Sequence, residues 1–155
     1  MSRNFVEKAI ALAIRNAGSE QGGPFAALIV KQSRVIATGV NRVVTLNDPT
    51  AHAEIEAIRA ACRLLNSFQL TGCEMYASCE PCPMCLGAIY WARPARVYFS
   101  ATAADAASAG FDDGLIYEEF SRTRHERRIP FEQIPCQAAL EPFRVWKQLN
   151  HRVLY

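Results

Sequence analysis

The chain has 155 residues, half of them apolar, with 17 lysines and arginines against 15 acids for a net charge of +2. That is enough for about one domain with a real core, and the charge is too balanced to argue for a nucleic-acid or membrane surface. No apolar run approaches the roughly 20 residues of a spanning helix, and Met1-Ser2-Arg3-Asn4-Phe5 is not a signal peptide. The expectation is a cytoplasmic, single-domain protein whose six cysteines are thiols or metal ligands, not a disulfide scaffold.

Phe5, Ala9, Leu12 and Ala13 recur at helical spacing and predict a helix over residues 2–17, stopped by Gly18. Gly22-Gly23-Pro24 is a turn. Phe25 to Lys31 is a strand whose near-continuous apolar character predicts burial on both faces. Gln32-Ser33 turns the chain, and Arg34 to Val43 returns as a second strand, with Asn41 near its end. Asp48 as N-cap and Pro49 at the first helical position predict a helix running to about Asn66, with Ile55, Ile58, Cys62 and Leu65 as its buried stripe.

Glu74 to Ser78 is a third strand. Pro81 then opens a second motif helix that runs through Trp91 and breaks at Arg93-Pro94. Ala95 to Ala101 is a fourth strand, and its arrival after a helical crossover predicts parallel pairing with the third. Ala101 to Gly110 reads as a short helix, Phe111-Asp112-Asp113-Gly114 as a loop and Leu115 to Phe120 as a helix. Ser121 to Arg128 is a polar connector, Phe131 to Ala138 a fifth strand, and Glu141 to His151 a last amphipathic helix. The architecture predicted is α/β: a three-layer α/β/α fold around a five-stranded mixed sheet.

The chemistry is carried by Asp48-Pro49-Thr50-Ala51-His52-Ala53-Glu54 and Pro81-Cys82-Pro83-Met84-Cys85. One imidazole and two thiolates are the ligands that zinc favours, and three protein ligands leave one tetrahedral position for water. Zinc lowers the pKa of such a water toward about 7. Glu54, two residues after the histidine, is placed to move that water's protons. His-x-Glu followed by Pro-Cys-x-x-Cys is the signature of nucleobase zinc deaminases. The competing reading is a structural site closed by Cys79; against it, Pro81 separates Cys79 from Cys82, and a closed site gives Glu54 no purpose.

The longer wording narrows the pattern. Asn47 through Glu54, Ser78 through Pro94, Ala109-Gly110-Phe111-Asp112-Asp113, Gly22-Gly23-Pro24-Phe25 and the terminal Tyr155 together resemble the bacterial guanine deaminases of the cytidine-deaminase superfamily. The resemblance implies a five-stranded sheet between helices, a zinc ion on His52, Cys82 and Cys85, and a homodimer that exchanges its C-terminal segment. It also implies hydrolysis of guanine to xanthine and ammonia. By similarity Asn41 supplies an amide and Asp113 a carboxylate to the base, Phe25 and Trp91 hold the ring plane, and Tyr155 from the partner subunit closes the pocket. Glu118 resembles a second acid that relays a proton to the leaving amine.

Each of these has an ordinary alternative. Asn41 could only end a strand, Asp112-Asp113 could only turn the chain, and Phe25 and Trp91 could be plain core. Glu118 is not distinguished from Glu119 by the sequence, and a terminal tyrosine is ordinarily frayed. Arg122, Arg124, Arg127 and Arg128 could follow a nucleic-acid backbone, but Glu126 interrupts them and no aromatic is close in the connector, which favours a solvated loop. Three rival functions remain at this stage: a deaminase of guanosine, cytosine or an aminotriazine such as ammeline; a tRNA adenosine deaminase; and a non-catalytic zinc module. The partner expected is a small nucleobase, with no membrane.

Overall fold

A computed structural model describes residues 2–155. The chain divides into two compact units, residues 2–113 and 114–155. In the first unit the elements are α1 (Ser2–Gly18), β1 (Ala26–Lys31), β2 (Arg34–Val40), α2 (Val43–Leu46), α3 (Ala53–Leu65), β3 (Cys73–Ala77), α4 (Pro83–Ala92), β4 (Arg96–Tyr98) and α5 (Ala103–Ser108). The second unit holds α6 (Gly114–Ser121), a 3-10 turn over Gln137–Leu140 and α7 (Glu141–Gln148). Among the described residues no helix is long and apolar enough to cross a membrane.

The sheet has four strands in the order β2-β1-β3-β4, so the five-strand expectation is corrected. Residues 131–136 form no regular element and are exposed throughout. Their alternation imitates a strand, but Pro135 removes a ladder donor and no face of the segment is buried. β1 pairs antiparallel with both β2 and β3, and β4 pairs with β3 in parallel, as the crossover through α4 requires.

Period-two alternation along β1 builds both faces of the core. Ala27 and Ile29 join Met75, Ala77, Ala53, Ala57 and Ile89 on the face covered by α3 and α4. Leu28 and Val30 join Phe5, Ala9 and Tyr76 on the face covered by α1. The apolar run in β1 is therefore buried on both sides, and helix–sheet–helix layering holds for the first unit.

Two helix starts are later than the sequence suggested. Asp48 does not cap α3: its Oδ1 accepts from Thr50 N at 2.8 Å and Thr50 Oγ1 at 2.7 Å, closing a local turn over Asp48–Ala51. His52 is the N-cap instead. Likewise Pro81 stays in extended chain, Cys82 is the N-cap of α4 and Pro83 is its first residue. The α3 stripe is also rotated. Ala53, Ala57 and Ala61 are buried, with Ile58, Cys62 and Leu65 packed beside them. Small side chains let α3 lie close on β2, where a Cβ on Gly39 would stand 2.1 Å from Ala53 O and 2.4 Å from Ala57 N. The second strand ends at Val40, and Val43–Leu46 turns into the short α2.

Candidate active site

The N-termini of α3 and α4 carry the predicted ligands. His52 and Cys82 are both N-cap residues in extended backbone, with ψ of 157° and 168°, and neither side chain bonds back to its helix. Cys85 follows in the first turn of α4 and is fully buried, and Glu54 follows in the first turn of α3 with only 7 % of its surface exposed.

His52 Nδ1 lies 3.5 Å from Cys82 Sγ and 3.6 Å from Cys85 Sγ. A tetrahedral zinc, with Zn–N of about 2.0 Å and Zn–S of about 2.3 Å, separates a nitrogen and a sulfur ligand by about 3.5 Å. The donor set and its spacing thus fit zinc. All three ligand atoms fall within 4.8 Å of one another. Cys79 is not part of this group. Its strand end pairs with Ala101 and its thiol donates to Thr102 O at 3.5 Å, so among the described residues the group that would hold a metal is His52, Cys82 and Cys85.

The electrostatics agree with a ligand cluster. The neighbouring Cys85 and the His52 ring hold the Cys82 thiol far below its ordinary value, against the opposing pull of burial. Cys85 is pushed up, first by its hydrogen bond with Cys82 and then by burial. Both sulfurs would bind a metal as thiolates, so metal binding would release protons. The Cys82 hydrogen bond raises the His52 pKa. Burial raises Glu54, whose Oε2 accepts from Cys85 Sγ at 3.4 Å. A carboxylate with a raised pKa touching the ligand shell has the character of a proton carrier.

Around the ligands, the structure places the remaining candidates unevenly. Asp113 is half-buried, and its pKa is raised by burial and then by the charge of Cys82. Phe25 is packed edge-on by Phe111, ring centroids 4.9 Å apart at 88°. Gly110-Phe111-Asp112-Asp113 therefore supplies both a carboxylate and the support of an aromatic. A groove of about 510 Å³ between α1 and α5 shares Phe25 and Phe111 with this region but none of the metal ligands.

Asn41 is buried, and Arg42 N beside it donates to Ala51 O at 2.9 Å, next to His52. Asn41 Oδ1 accepts from Gly23 N and Val43 N, each at 3.3 Å. This refines the expectation of an amide offering both roles, because its acceptor end is engaged by backbone. Two residues in this region were not singled out from the sequence. Glu80 Oε2 accepts from Ala103 N at 3.0 Å and so holds the start of α5. Asn16 donates to backbone carbonyls beside Asn41. A polar residue near a helix end gives no sequence signal for either job.

Trp91 is 62 % exposed, two turns down α4 from Cys85 and off the buried line of Cys85, Ile89 and Ala92. Glu118 and Tyr155 belong to the second unit and are exposed. Glu119, which the sequence could not tell from Glu118, accepts from Arg128 N at 2.8 Å and pairs with Arg122 at 3.5 Å, leaving Glu118 on the solvent side of α6. In the basic connector Arg122 pairs with Glu119 and Arg127 covers the Phe131 ring, which accounts locally for two of the four cations.

Residues 1–101 match the family described as the cytidine and deoxycytidylate deaminase zinc-binding region. The chain is 51 % identical over 151 residues to the guanine deaminase of Bacillus subtilis (strain 168), covering 97 % of each sequence. The X-ray structure of guanine deaminase from Bacillus subtilis matches with a TM-score of 0.97 at 50 % identity, over 99 % of this chain and 98 % of that one. The tRNA-specific adenosine deaminase of Agrobacterium fabrum (strain C58 / ATCC 33970) is 46 % identical over 98 residues, 63 % of this chain and 64 % of its own.

Proposed function

The chain belongs to the cytidine and deoxycytidylate deaminase zinc-binding family, and from that membership we propose that it is a zinc hydrolase that converts guanine to xanthine and ammonia. The observation that carries the substrate is the extent of the likeness. The guanine deaminase is 51 % identical over 151 residues and matches with a TM-score of 0.97 over 99 % of the chain, whereas the tRNA deaminases reach 46 % over 98 residues or 36 % over 132.

His52 Nδ1 and the thiolates of Cys82 and Cys85 would hold the metal, which when bound would supply an activated water as nucleophile. Glu54 takes a proton as the oxygen adds to C2 of the base and delivers it to the adjacent ring nitrogen. As the C2–N bond breaks, a proton passes to the departing amino group, which leaves as ammonia while the C2 carbonyl forms. Glu118 is the second acid of this reading and relays to the leaving amine. Asn41 offers its Nδ2 donor to a ring acceptor, and Asp113 accepts from a ring N–H. Phe25 and Trp91 sandwich the base.

The same reading includes a homodimer. α4 is apolar on its outer side as well, with Leu86, Tyr90 and Trp91 exposed, and a helix apolar all round calls for a second covering surface. Residues 114–155 contain no buried residue although Phe143, Trp146, Leu149 and Leu154 lie among them. A segment without a core of its own suits exchange between subunits, with Tyr155 then closing the partner's pocket. A cytoplasmic location fits six free thiols, two of them needed as ligands.

The test is ammonia release from guanine by zinc-loaded protein, beside guanosine, cytosine, adenine, ammeline and a tRNA anticodon stem. Release from guanine carries the reading. Silence on guanine with release from another ring keeps the zinc chemistry and overturns the substrate, and release from the RNA alone installs the tRNA reading.

A further inference from the structure

We infer that Asn16, near the end of α1, is a positioning residue for substrate recognition, acting through Asn41. Both donors of its side-chain NH2 are committed. Nδ2 donates to Gly23 O at 2.8 Å and to Asn41 O at 3.0 Å, so one NH2 group ties together the two segments that carry Phe25 and Asn41. The tie is close. A Cβ on Gly22 would stand 2.0 Å from Asn41 O and 3.0 Å from Asn16 Nδ2, so the crossing admits only glycine.

The rest of the junction then follows. Asn41 N donates to Phe25 O at 3.1 Å, and Asn41 Oδ1 takes Gly23 N and Val43 N. Those two backbone donors decide which end of the Asn41 amide is oxygen, and hence that the end offered to a base is the NH2 donor. Asn16 contributes no atom to that recognition. It holds the backbone carbonyls whose placement brings Gly23 N to Asn41 Oδ1. Loss of its two donors removes the side-chain partner of Asn41 O, leaves Gly23 O with Phe25 N alone, and unties the Gly23 segment from Asn41. A shift of about 1 Å in a recognising group is enough to cost on the order of 100-fold.

The inference rests on Asn41 reading the base, and the experiment separates the two. Guanine kinetics are measured for the zinc-loaded wild type, Asn16→Ala, Asn41→Asp and the double variant, with zinc content and thermal melts for each. Asn41→Asp keeps an oxygen for Gly23 N and Val43 N and turns the NH2 donor into a charged acceptor at a buried position. Expected are a KM for guanine raised roughly 10- to 100-fold in Asn16→Ala, kcat changed far less, zinc content unchanged, and no further loss when Asn16→Ala is added to Asn41→Asp. Where the alanine variant does not accumulate as folded protein, Asn16→Ser, which retains one donor, replaces it and is expected to show an intermediate KM. A wild-type KM in the Asn16 variants, or losses that multiply in the double variant, overturns the role given to Asn16. Unaltered kinetics in Asn41→Asp overturn the recognition role of Asn41 itself, and the inference with it.

Discussion

His52 and Cys82 occupy the same position in two different helices: each is the N-cap, in extended backbone, and each withholds its side chain from capping. N-caps are ordinarily Ser, Thr, Asp or Asn, whose oxygen satisfies an orphan N–H. Here that local gain is given up so that a nitrogen and a sulfur meet 3.5 Å apart. The arrangement also directs two helix N-termini, with their outward N–H groups, at the place where His52, Cys82 and Cys85 would hold a metal.

A direct consequence is an exchange of helix stability for metal. Cys82→Ser installs a good cap on α4 and removes a thiolate ligand. In chelator-treated protein the variant is expected to be more stable by about 1 kcal/mol. In zinc-supplemented buffer it is expected to melt below the wild type and to release no ammonia. Paired thermal melts with and without chelator check both signs; a variant that melts lower in both conditions would mean that Cys82 serves packing and not the metal.

Glu54→Gln is expected to retain zinc and lose on the order of 100- to 10,000-fold in kcat. Burial raises the Glu54 pKa, so the carboxylate form costs stability at pH values above that raised pKa and nothing below the ordinary carboxylate range. Metal-free Glu54→Gln is therefore expected to melt higher than metal-free wild type near neutral pH. That gain disappears as pH falls below the unfolded-state value. Equal melting temperatures at all pH values would show that the buried carboxylate carries no such penalty.

Asp113→Asn replaces an acceptor by an amide and is expected to raise KM for guanine with zinc content unchanged. Burial, and after it the charge of Cys82, raises the Asp113 pKa above its ordinary value. Its protonation then weakens guanine binding at a pH where an exposed aspartate would still be ionised. A pH profile of kcat/KM checks this: the Asn variant loses the Asp113 share of the acid limb and keeps that of Glu54. An acid limb identical in both proteins counts against a role for Asp113.

Gly39→Ala drives a methyl group against Ala53 O and Ala57 N, the backbone of the helical turn that holds Glu54. The substitution is expected to cost about 1–3 kcal/mol of stability and to weaken zinc affinity, read from chelator competition. Unchanged affinity would show that α3 can shift on β2 without disturbing His52.

Removal of Tyr155 is expected to lower guanine turnover while zinc content and melting temperature stay put, since the residue is 72 % exposed within its own chain. A mixed dimer of the Tyr155 deletion with a Glu54→Gln chain checks the exchange. If the tail serves the partner's pocket, one of its two sites combines both lesions and the other has neither, restoring about half of wild-type activity. Activity no greater than that of either parent argues for a tail that serves its own chain.

The sequence by itself determined what local chemistry and periodicity encode. The near-continuous apolar run Ala27–Val30 encoded burial on both faces of β1, the order strand–helix–strand encoded the parallel pairing of β3 and β4, and His52, Cys82 and Cys85 pointed to the metal. Helix starts lay beyond it, because Asp48 and Pro81 satisfy turn rules as well as helix rules, and only the hydrogen bonds formed decide between them. Phe131 to Ala138 looked like a strand because alternation is local, whereas a strand exists only where a neighbour takes its ladder. Glu118 and Glu119 were equivalent until Arg122 and the Arg128 amide engaged one of them. The orientation of the Asn41 amide came from Gly23, eighteen positions away, held by Asn16, twenty-five away. Residues announce what they can donate or ligate; which partner they meet depends on contacts across the chain that only the folded backbone supplies.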